Sequence, residues 1–325
     1  MSFLKGRLSY TAAKLHLVTK PSNQFYCFYG WGARAAVASN KICYTRYMIL
    51  TIDVGGTKVL VATFDNDGNI TKSQKFKTPI MYPDFIDELK KNVWEVTGDE
   101  QPEACSIALP GSLDRENGVA LYFGNLPWEN VHIRDDLADT IHCPIYLEND
   151  AKMAGLAEAF AVKEHYSRVL YVTVSTGIGL GMTIDGKIDH GVQDAGGKAL
   201  MVEHGGKIMA WEEYASGKAI VAHTGKMASE ITDESDWYVV ARNIALGLID
   251  LIVLLSPEVI VIGGGVGSHL PKFQEKLFNE LEIYHNKMVK MPQIVQSKHP
   301  EEAVVYGGYL LAKQNLESHH NENAS

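Results

Sequence analysis

Between residues 48 and 312 the chain alternates short apolar runs, most of them closed by glycine, with longer stretches whose apolar positions recur every three or four residues. Met48 to Val54 reads as an apolar strand, Gly55-Gly56-Thr57 as a tight turn and Lys58–Phe64 as the returning strand. Asp65-Asn66-Asp67-Gly68 turns the chain again into a third strand over 70–77. Residues 84–97 carry Phe85, Leu89, Val93 and Val96 at helical spacing. Residues 104–109 and 144–147 read as short buried strands. Pro110-Gly111 stops the first; Asn149-Asp150 and a helical stretch over 151–160 follow the second. A strand over 168–175 runs into Thr176-Gly177-Ile178-Gly179-Leu180-Gly181, read as a turn, and 182–184 continue the strand pattern. Residues 237–255 form a strong amphipathic helix, 259–262 a buried strand ending in Gly263-Gly264-Gly265, and 303–312 a final helix. The polar end from Gln314 reads as lying outside the fold. Strands that end in glycine turns, with helices between them, make an α/β pattern, in which ligands sit at strand ends.

Composition narrows the class. The 325 residues are 46% hydrophobic and 21% charged, which excludes a disordered or collagen-like chain and suits about two domains with a sizeable core. Charge is uneven. Residues 1–47 hold seven basic and no acidic side chains, so the remainder sets 23 bases against 39 acids, a net of −16. An acidic body argues against specific nucleic-acid binding, which needs a basic footprint. The basic N-terminal segment is compatible with an extension upstream of the true start, a targeting or partner-binding tail, or an ordered element. No helix-turn-helix is legible in it. Cys27, Cys43, Cys105 and Cys143 lie far apart with no Cys-x-x-Cys pair, which suits a reducing, cytoplasmic compartment. No apolar run reaches the roughly 18 residues of a membrane span.

Four constellations carry candidate chemistry. Asp53-Val54-Gly55-Gly56-Thr57-Lys58 could cradle phosphate on its backbone N–H groups, with a hydroxyl from Thr57, a cation from Lys58 and Asp53 facing a metal-bound phosphate. Ser175-Thr176-Gly177-Ile178-Gly179 lacks the dinucleotide-binding spacing and turns between strands, so it reads as a second phosphate hairpin. Either one alone is equally an ordinary glycine hairpin. Asn149-Asp150 offers a carboxylate that could take a proton from a hydroxyl, a role worth roughly 10²–10⁴ in rate; taken alone, a helix N-cap explains it as well. Gly263-Gly264-Gly265 would let a flat ring such as adenine lie on the backbone, or simply close a tight turn.

In this order the four motifs resemble the ROK family of sugar kinases, repressors and related proteins, over about residues 48–312. Leu109-Pro110-Gly111-Ser112-Leu113-Asp114, Gly118, Asn125-Leu126-Pro127-Trp128 and Glu212-Glu213-Tyr214-Ala215-Ser216-Gly217 join the resemblance. It implies an α/β, actin-like ATPase (ribonuclease H-like) fold, with two α/β domains around a cleft. The small domain would be 48–148 plus 301–316, the large domain 149–300, with 1–47 an N-terminal extension and 317–325 a disordered tail. Asp150 matches the catalytic base that deprotonates a sugar 6-hydroxyl for attack on the γ-phosphate of ATP. Gly55, Gly56, Thr57, Lys58, Thr176 and Gly177 match phosphate contacts, Gly264 and Gly265 the adenosine site, and Asp53 the Mg2+ side. Gly111, Asn125, Asn149 and Glu212 match the sugar side. The implied activity is a cytoplasmic, ATP- and Mg2+-dependent hexose kinase, glucokinase-like, assembled as a homodimer or homotetramer. An N-acetylhexosamine or fructose kinase, or a non-catalytic sugar-binding regulator, are the alternatives, and inorganic polyphosphate is an alternative donor.

The chain departs from this family at one segment. Gly196-Gly197-Lys198-Ala199-Leu200 occupies the place of Gly-Glu-x-Gly-His, so Gly197 replaces a sugar-binding Glu and Leu200 a sugar- and zinc-binding His. The cysteine-rich loop that follows in the family is missing, and Lys207-Ile208-Met209-Ala210-Trp211 stands in its place. No zinc is therefore expected. Either Glu203 and His204 turn inward to replace the lost pair, or His204 is a loop residue and sugar affinity is weaker or differently selective.

Overall fold

The computed structural model describes residues 35–38, 41–44, 47–299 and 302–322. The chain divides into two compact units, Met1–Tyr44 and Thr45–Ser325. In the first, Ala35–Ala38 pairs antiparallel with Lys41–Tyr44; apart from Tyr47, the rest of the basic N-terminal segment lies outside the described residues.

The second unit holds two five-stranded sheets of one topology. β1 (Ile49–Val54), β2 (Lys58–Phe64) and β3 (Ile70–Lys77) form a meander, and α1 (Tyr82–Thr97) leads to β4 (Ala104–Leu109). A small sheet of β5 (Gly111–Asp114), β6 (Val119–Phe123) and β7 (Glu129–Val131) precedes β8 (Ile145–Asn149). The first sheet runs β8-β4-β1-β2-β3, with β1, β4 and β8 parallel and β2 and β3 joined to it antiparallel. Past α2 (Asp150–Val162), the second sheet repeats the plan with β9 (Arg168–Val174), β10 (Ile178–Ile184) and β11 (Lys187–Ile188). After the hairpin β12 (Met201–His204) and β13 (Lys207–Ala210) come the short helices α3 (Trp211–Ala215) and α4 (Gly217–Thr224). The long helix α5 (Glu234–Leu255), β14 (Val259–Gly263), α6 (Leu270–Ile283), β15 (Gln293–Gln296) and α7 (Ala303–Glu322) complete the chain. The second sheet runs β11-β10-β9-β14-β15. A three-stranded antiparallel meander followed by two strands parallel to its first, twice over, is the actin-like ATPase plan that the family resemblance implies.

Each sheet has its own apolar core. Leu50, Ile52, Val59, Phe85, Leu89, Ile107, Phe123 and Trp128 fill one face of the first. Leu170, Val172, Ile260 and Ile262 of the second meet Trp237, Ile244 and Leu248 of α5 and Phe273 of α6. The apolar stripe of α5 reads as amphipathic in the sequence and packs accordingly. Helix α7 covers the other face of the first sheet, where Val305, Tyr309, Ala312 and Leu316 pack against Ile49, Leu60, Phe64 and Ala104.

Helix α2 differs from its neighbours. It has no polar face: nine successive residues, Ala151 to Ala159, are buried. It threads between α7 and β10, and glycines on both neighbours make room. A side chain at Gly181 would put its Cβ 2.5 Å from the Ala151 carbonyl oxygen, and one at Gly179 would sit 2.7 Å from Ala151 Cβ. On the other side Gly307 abuts the Met153 carbonyl, and Gly308 lies against Ser106 and Met153. At the far end, the buried Glu158 carboxylate accepts from Ser297 Oγ and from the N–H groups of Lys298 and His299, tying α2 to the chain that enters α7.

Two readings of the sequence change here. Ile178 to Gly181 is strand, so the second hairpin turns only at Ser175-Thr176-Gly177. Its glycines permit the close approach of α2, a reason that periodicity does not encode. Helix α7 also runs on to Glu322, past the expected edge of a disordered tail. Buried Leu316 and a bond from Gln314 Nε2 to the Gly186 carbonyl hold that extension in place.

Adding one methyl at the tightest of these crossings tests the packing. Gly307→Ala is expected to cost at least about 2 kcal/mol of stability, because the backbone of α2 cannot yield, measured as a lower urea midpoint with an unchanged m-value.

Candidate active site

The parallel strands β1, β4 and β8 end side by side, and their register pairs Asp53 with Ala108 and Ala108 with Glu148. Asp53, Pro110-Gly111 and Asn149-Asp150 therefore gather at one sheet edge. Asn149 caps α2: its Oδ1 accepts from the N–H groups of Ala151 and Lys152, while its Nδ2 donates to the Gly111 carbonyl. The sugar-side candidate Asn149 also fixes the turn that carries Asp150. Asp150 is the first residue of α2. Its Oδ1 accepts from the Ala151 N–H, and Oδ2 has no protein hydrogen-bond partner among the described residues.

Electrostatics set the two cleft carboxylates apart from ordinary ones. Burial pushes Asp150 up to about 6, with backbone hydrogen bonds opposing the rise and the Asp194 charge adding to it. Burial, and then the charge of Asp150, push Asp53 up to about 7, against Lys58 and Lys75. A partly buried carboxylate beside a second one calls for further positive charge. Hard oxygen donors of this kind, completed by phosphate and water, are what Mg2+ takes, so Asp53 fits the metal role that the motif suggests.

Below this pair lies an ion network that the sequence reading missed. Glu148 takes a two-pronged contact from Arg115, and His190 Nε2 lies 2.8 Å from its other oxygen. Arg115 also reaches Asp194 at 2.7 Å, and Lys152, 2% exposed, reaches the same Asp194 oxygen at 2.8 Å. Burial alone would raise Glu148; hydrogen bonds from His190 and Arg115 hold it down at about 2. The network joins the small sheet, the β8–α2 junction and the 189–199 loop. Its signal in the sequence is Lys152, a charge inside a run of alanine, glycine and methionine, where only a buried partner makes a lysine tolerable.

The glycine hairpins flank this edge. In the first, the Gly55 N–H donates to the Lys58 carbonyl, and Thr78 bonds the carbonyls of both Thr57 and Gly55, so the tip is braced while Thr57 and Lys58 stay exposed. Gly56 lies against Asn125, where a Cβ would sit 3.1 Å from that of Asn125. The Asn125 loop is pinned by Trp128, buried against Phe85 and Phe123, with its Nε1 donating to the Ile80 carbonyl. In the second hairpin the Ser175 carbonyl receives the Gly217 N–H, which seats α4 on the tip beside Thr176. Glu212 abuts Gly177, and its Oε2 accepts from the Ile178 N–H at 2.8 Å, so this sugar-side candidate rests against the second hairpin. After β14, Gly264 has φ +80 and would clash with Val174 and Thr173, whereas Gly265 faces open space, as a stacking surface requires.

The altered segment adopts its own geometry. Leu200 packs against the core of the second sheet. A Cβ on Gly197 would lie 2.7 Å from Ile178 Cβ, so no side chain larger than hydrogen fits there. Glu203 accepts from the Gly206 N–H of its own hairpin turn, and the His204 ring packs 4.2 Å from that of Tyr214. Neither makes a hydrogen bond to Gly111, Asn125, Asn149 or Asp150.

A sequence profile of the ROK family matches residues 49–315. The chain belongs to the ROK family. It is 27% identical to a glucokinase of Thermotoga maritima, in an alignment covering 82% of this chain and 98% of that protein. It is 30% identical to a fructokinase of Zymomonas mobilis, covering 66% and 78%. Among solved structures it superimposes, with a TM-score of 0.69 and 23% identity over 82% of this chain and 99% of the other, on a ROK family glucokinase from Streptomyces griseus in complex with glucose and AMPPNP.

The raised Asp150 has a measurable consequence. The folded protein holds this proton more tightly than the unfolded chain does, so ionising Asp150 costs stability. The cost is absent below about pH 4 and complete above about pH 6. Asp150→Asn is expected to gain about 2 kcal/mol at pH 7 and little at pH 4, read from urea unfolding at the two values.

Proposed function

We propose that this protein is a cytoplasmic, ATP- and Mg2+-dependent hexose kinase that phosphorylates the 6-hydroxyl of glucose in preference to other sugars. The observation that carries the reading is Asp150: a carboxylate at the N-terminus of a buried helix, one oxygen without a hydrogen-bond partner among the described residues, between two glycine hairpins suited to phosphate. The glucokinase and fructokinase names of the relatives support the substrate class.

In this reading Asp150 Oδ2 accepts the proton of the sugar hydroxyl as its oxygen attacks the γ-phosphorus, and Asn149 fixes the carboxylate by capping the helix behind it. The backbone of Gly55-Gly56-Thr57 and of Thr176-Gly177 takes the phosphate chain, Lys58 adds charge at the first hairpin, and Gly264-Gly265 give the adenine ring a flat backbone to lie on. Asp53 would hold Mg2+, which neutralises phosphate charge when bound. Gly111, Asn125, Asn149 and Glu212 complete the sugar side. With no side chain at Gly197 and an apolar one at Leu200, fewer polar groups meet the hydroxyls, so discrimination among hexoses is weaker than a fully bonded site would give.

ADP release with MgATP and glucose, mannose, fructose, N-acetylglucosamine or N-acetylmannosamine tests the proposal. Glucose is expected to give the highest kcat/KM, with mannose or fructose within about two orders of magnitude, the margin of a site missing one or two polar contacts. Nucleotide binding with no sugar-dependent ADP release would replace the kinase by a non-catalytic sugar-binding protein.

A further inference from the structure

The loop that lost the family's Glu and His brings in a cation. Gly196, at φ +51, lies with its Cβ position 2.6 Å from the Ile178 carbonyl oxygen, and Gly197 presses on the Ile178 side chain, so the loop is flush against the second hairpin. From that seat Lys198 reaches across to the small sheet, where its Nζ lies 3.3 Å from the Gly124 carbonyl. Gly124 donates its N–H to the Pro110 carbonyl, beside the Gly111 that Asn149 holds, and the next residue, Asn125, lies against Gly56 of the first hairpin. The Lys198 side chain thus bridges from the loop seated on the second hairpin to the Gly124-Asn125 turn, which lies against the first.

The charges around it are already paired. Arg115 is taken by Glu148 and Asp194, and Lys152 by Asp194. Lys198 has no carboxylate within 4.0 Å among the described residues, only one neutral carbonyl at the long end of hydrogen-bonding range. Lys58 is likewise without a carboxylate, but it belongs to the arm of the first hairpin opposite Asp53 and serves the phosphate chain there. An ammonium whose one partner among the described residues is a neutral carbonyl at 3.3 Å exchanges it readily for an oxyanion, because two opposite full charges attract more strongly than a charge and a dipole.

We propose that Lys198 is a catalytic residue whose ammonium contacts the phosphoryl group in flight between ATP and the hydroxyl. The inference rests on the kinase reading above. In the step, the acceptor oxygen bonds the γ-phosphorus as the bond from that phosphorus to the β,γ-bridging oxygen breaks. ADP leaves with the electron pair, the hydroxyl proton passes to Asp150, and Lys198 keeps its protons and supplies only charge. Phosphoryl transfer is catalysed mainly by positioning and by such neutralisation of the three equatorial oxygens.

The test is steady-state kinetics of wild type, Lys198→Met and Lys198→Arg with the best hexose and MgATP, beside calorimetric titration with Mg-AMPPNP. Lys198 is exposed, and thermal melts of the variants check that they fold alike. Lys198→Met is expected to lose about 100-fold or more in kcat, while the hexose KM and the AMPPNP affinity move less than about threefold, because the contact is made only in the transition state. Lys198→Arg is expected to retain at least about a tenth of kcat. A kcat of Lys198→Met within threefold of wild type overturns the proposal, as does a loss confined to the hexose KM, which would make Lys198 a sugar contact. Absence of turnover in the wild type would instead remove the kinase reading itself and this proposal with it, so the two failures are told apart by which protein is inactive.

Discussion

The structure depends on one helix that is buried on every side. Helix α2 crosses from the first sheet to the second, and its alanines and glycine on one side meet Gly179 and Gly181 of β10, on the other Gly307 and Gly308 of α7. Close approach at both faces fixes its axis, because interiors packed to crystal density do not accommodate an extra methyl cheaply. Its N-terminus is then held where β8 ends, and Asp150, the first residue of that helix, inherits the precision of the packing.

The same placement makes the site costly in charge. Asp53 and Asp150 stand near one another, each partly buried, and both hold their protons more tightly than an exposed carboxylate. The surrounding network is balanced: Arg115 and Lys152 carry two positive charges, Glu148 and Asp194 two negative ones, and the pairs interlock across three segments. Breaking such a set leaves an uncompensated buried charge, which is why buried ionic groups are kept or lost together. The positive charge the two cleft carboxylates lack must come from outside that set. In the proposed function it comes from Mg2+ held by Asp53, and at the transferred phosphate from Lys198.

Much of this was legible in the sequence. The hairpin at Asp53 to Lys58, the strand that delivers Asn149-Asp150, the amphipathic α5 and the strand before Gly263-Gly264-Gly265 all follow from alternation, helical spacing and glycine punctuation. The ion network was legible only in Lys152, a charge inside an apolar run; its partners Arg115, Glu148, His190 and Asp194 come from three separate segments, and each taken singly is an ordinary charged residue. The strand character of Ile178 to Gly181 was not legible, since glycine spacing announces a turn and only the approach of α2 explains why a strand needs it. Lys198 was not legible either, because its place beside Gly197 in the altered loop does not show that its side chain reaches the Gly124 carbonyl.

The central claim is that α2 delivers a general base to a hydroxyl lying between two phosphate hairpins. Phosphorus NMR of a glucose and MgATP mixture tests it most directly, with wild type compared against Asp150→Asn after both are shown to bind AMPPNP. The account predicts a sugar phosphomonoester signal, split by the two protons of a primary carbon, that grows with wild type and is absent with the variant. Inorganic phosphate in place of the sugar phosphate, or the same product formed by the variant at a comparable rate, would contradict it.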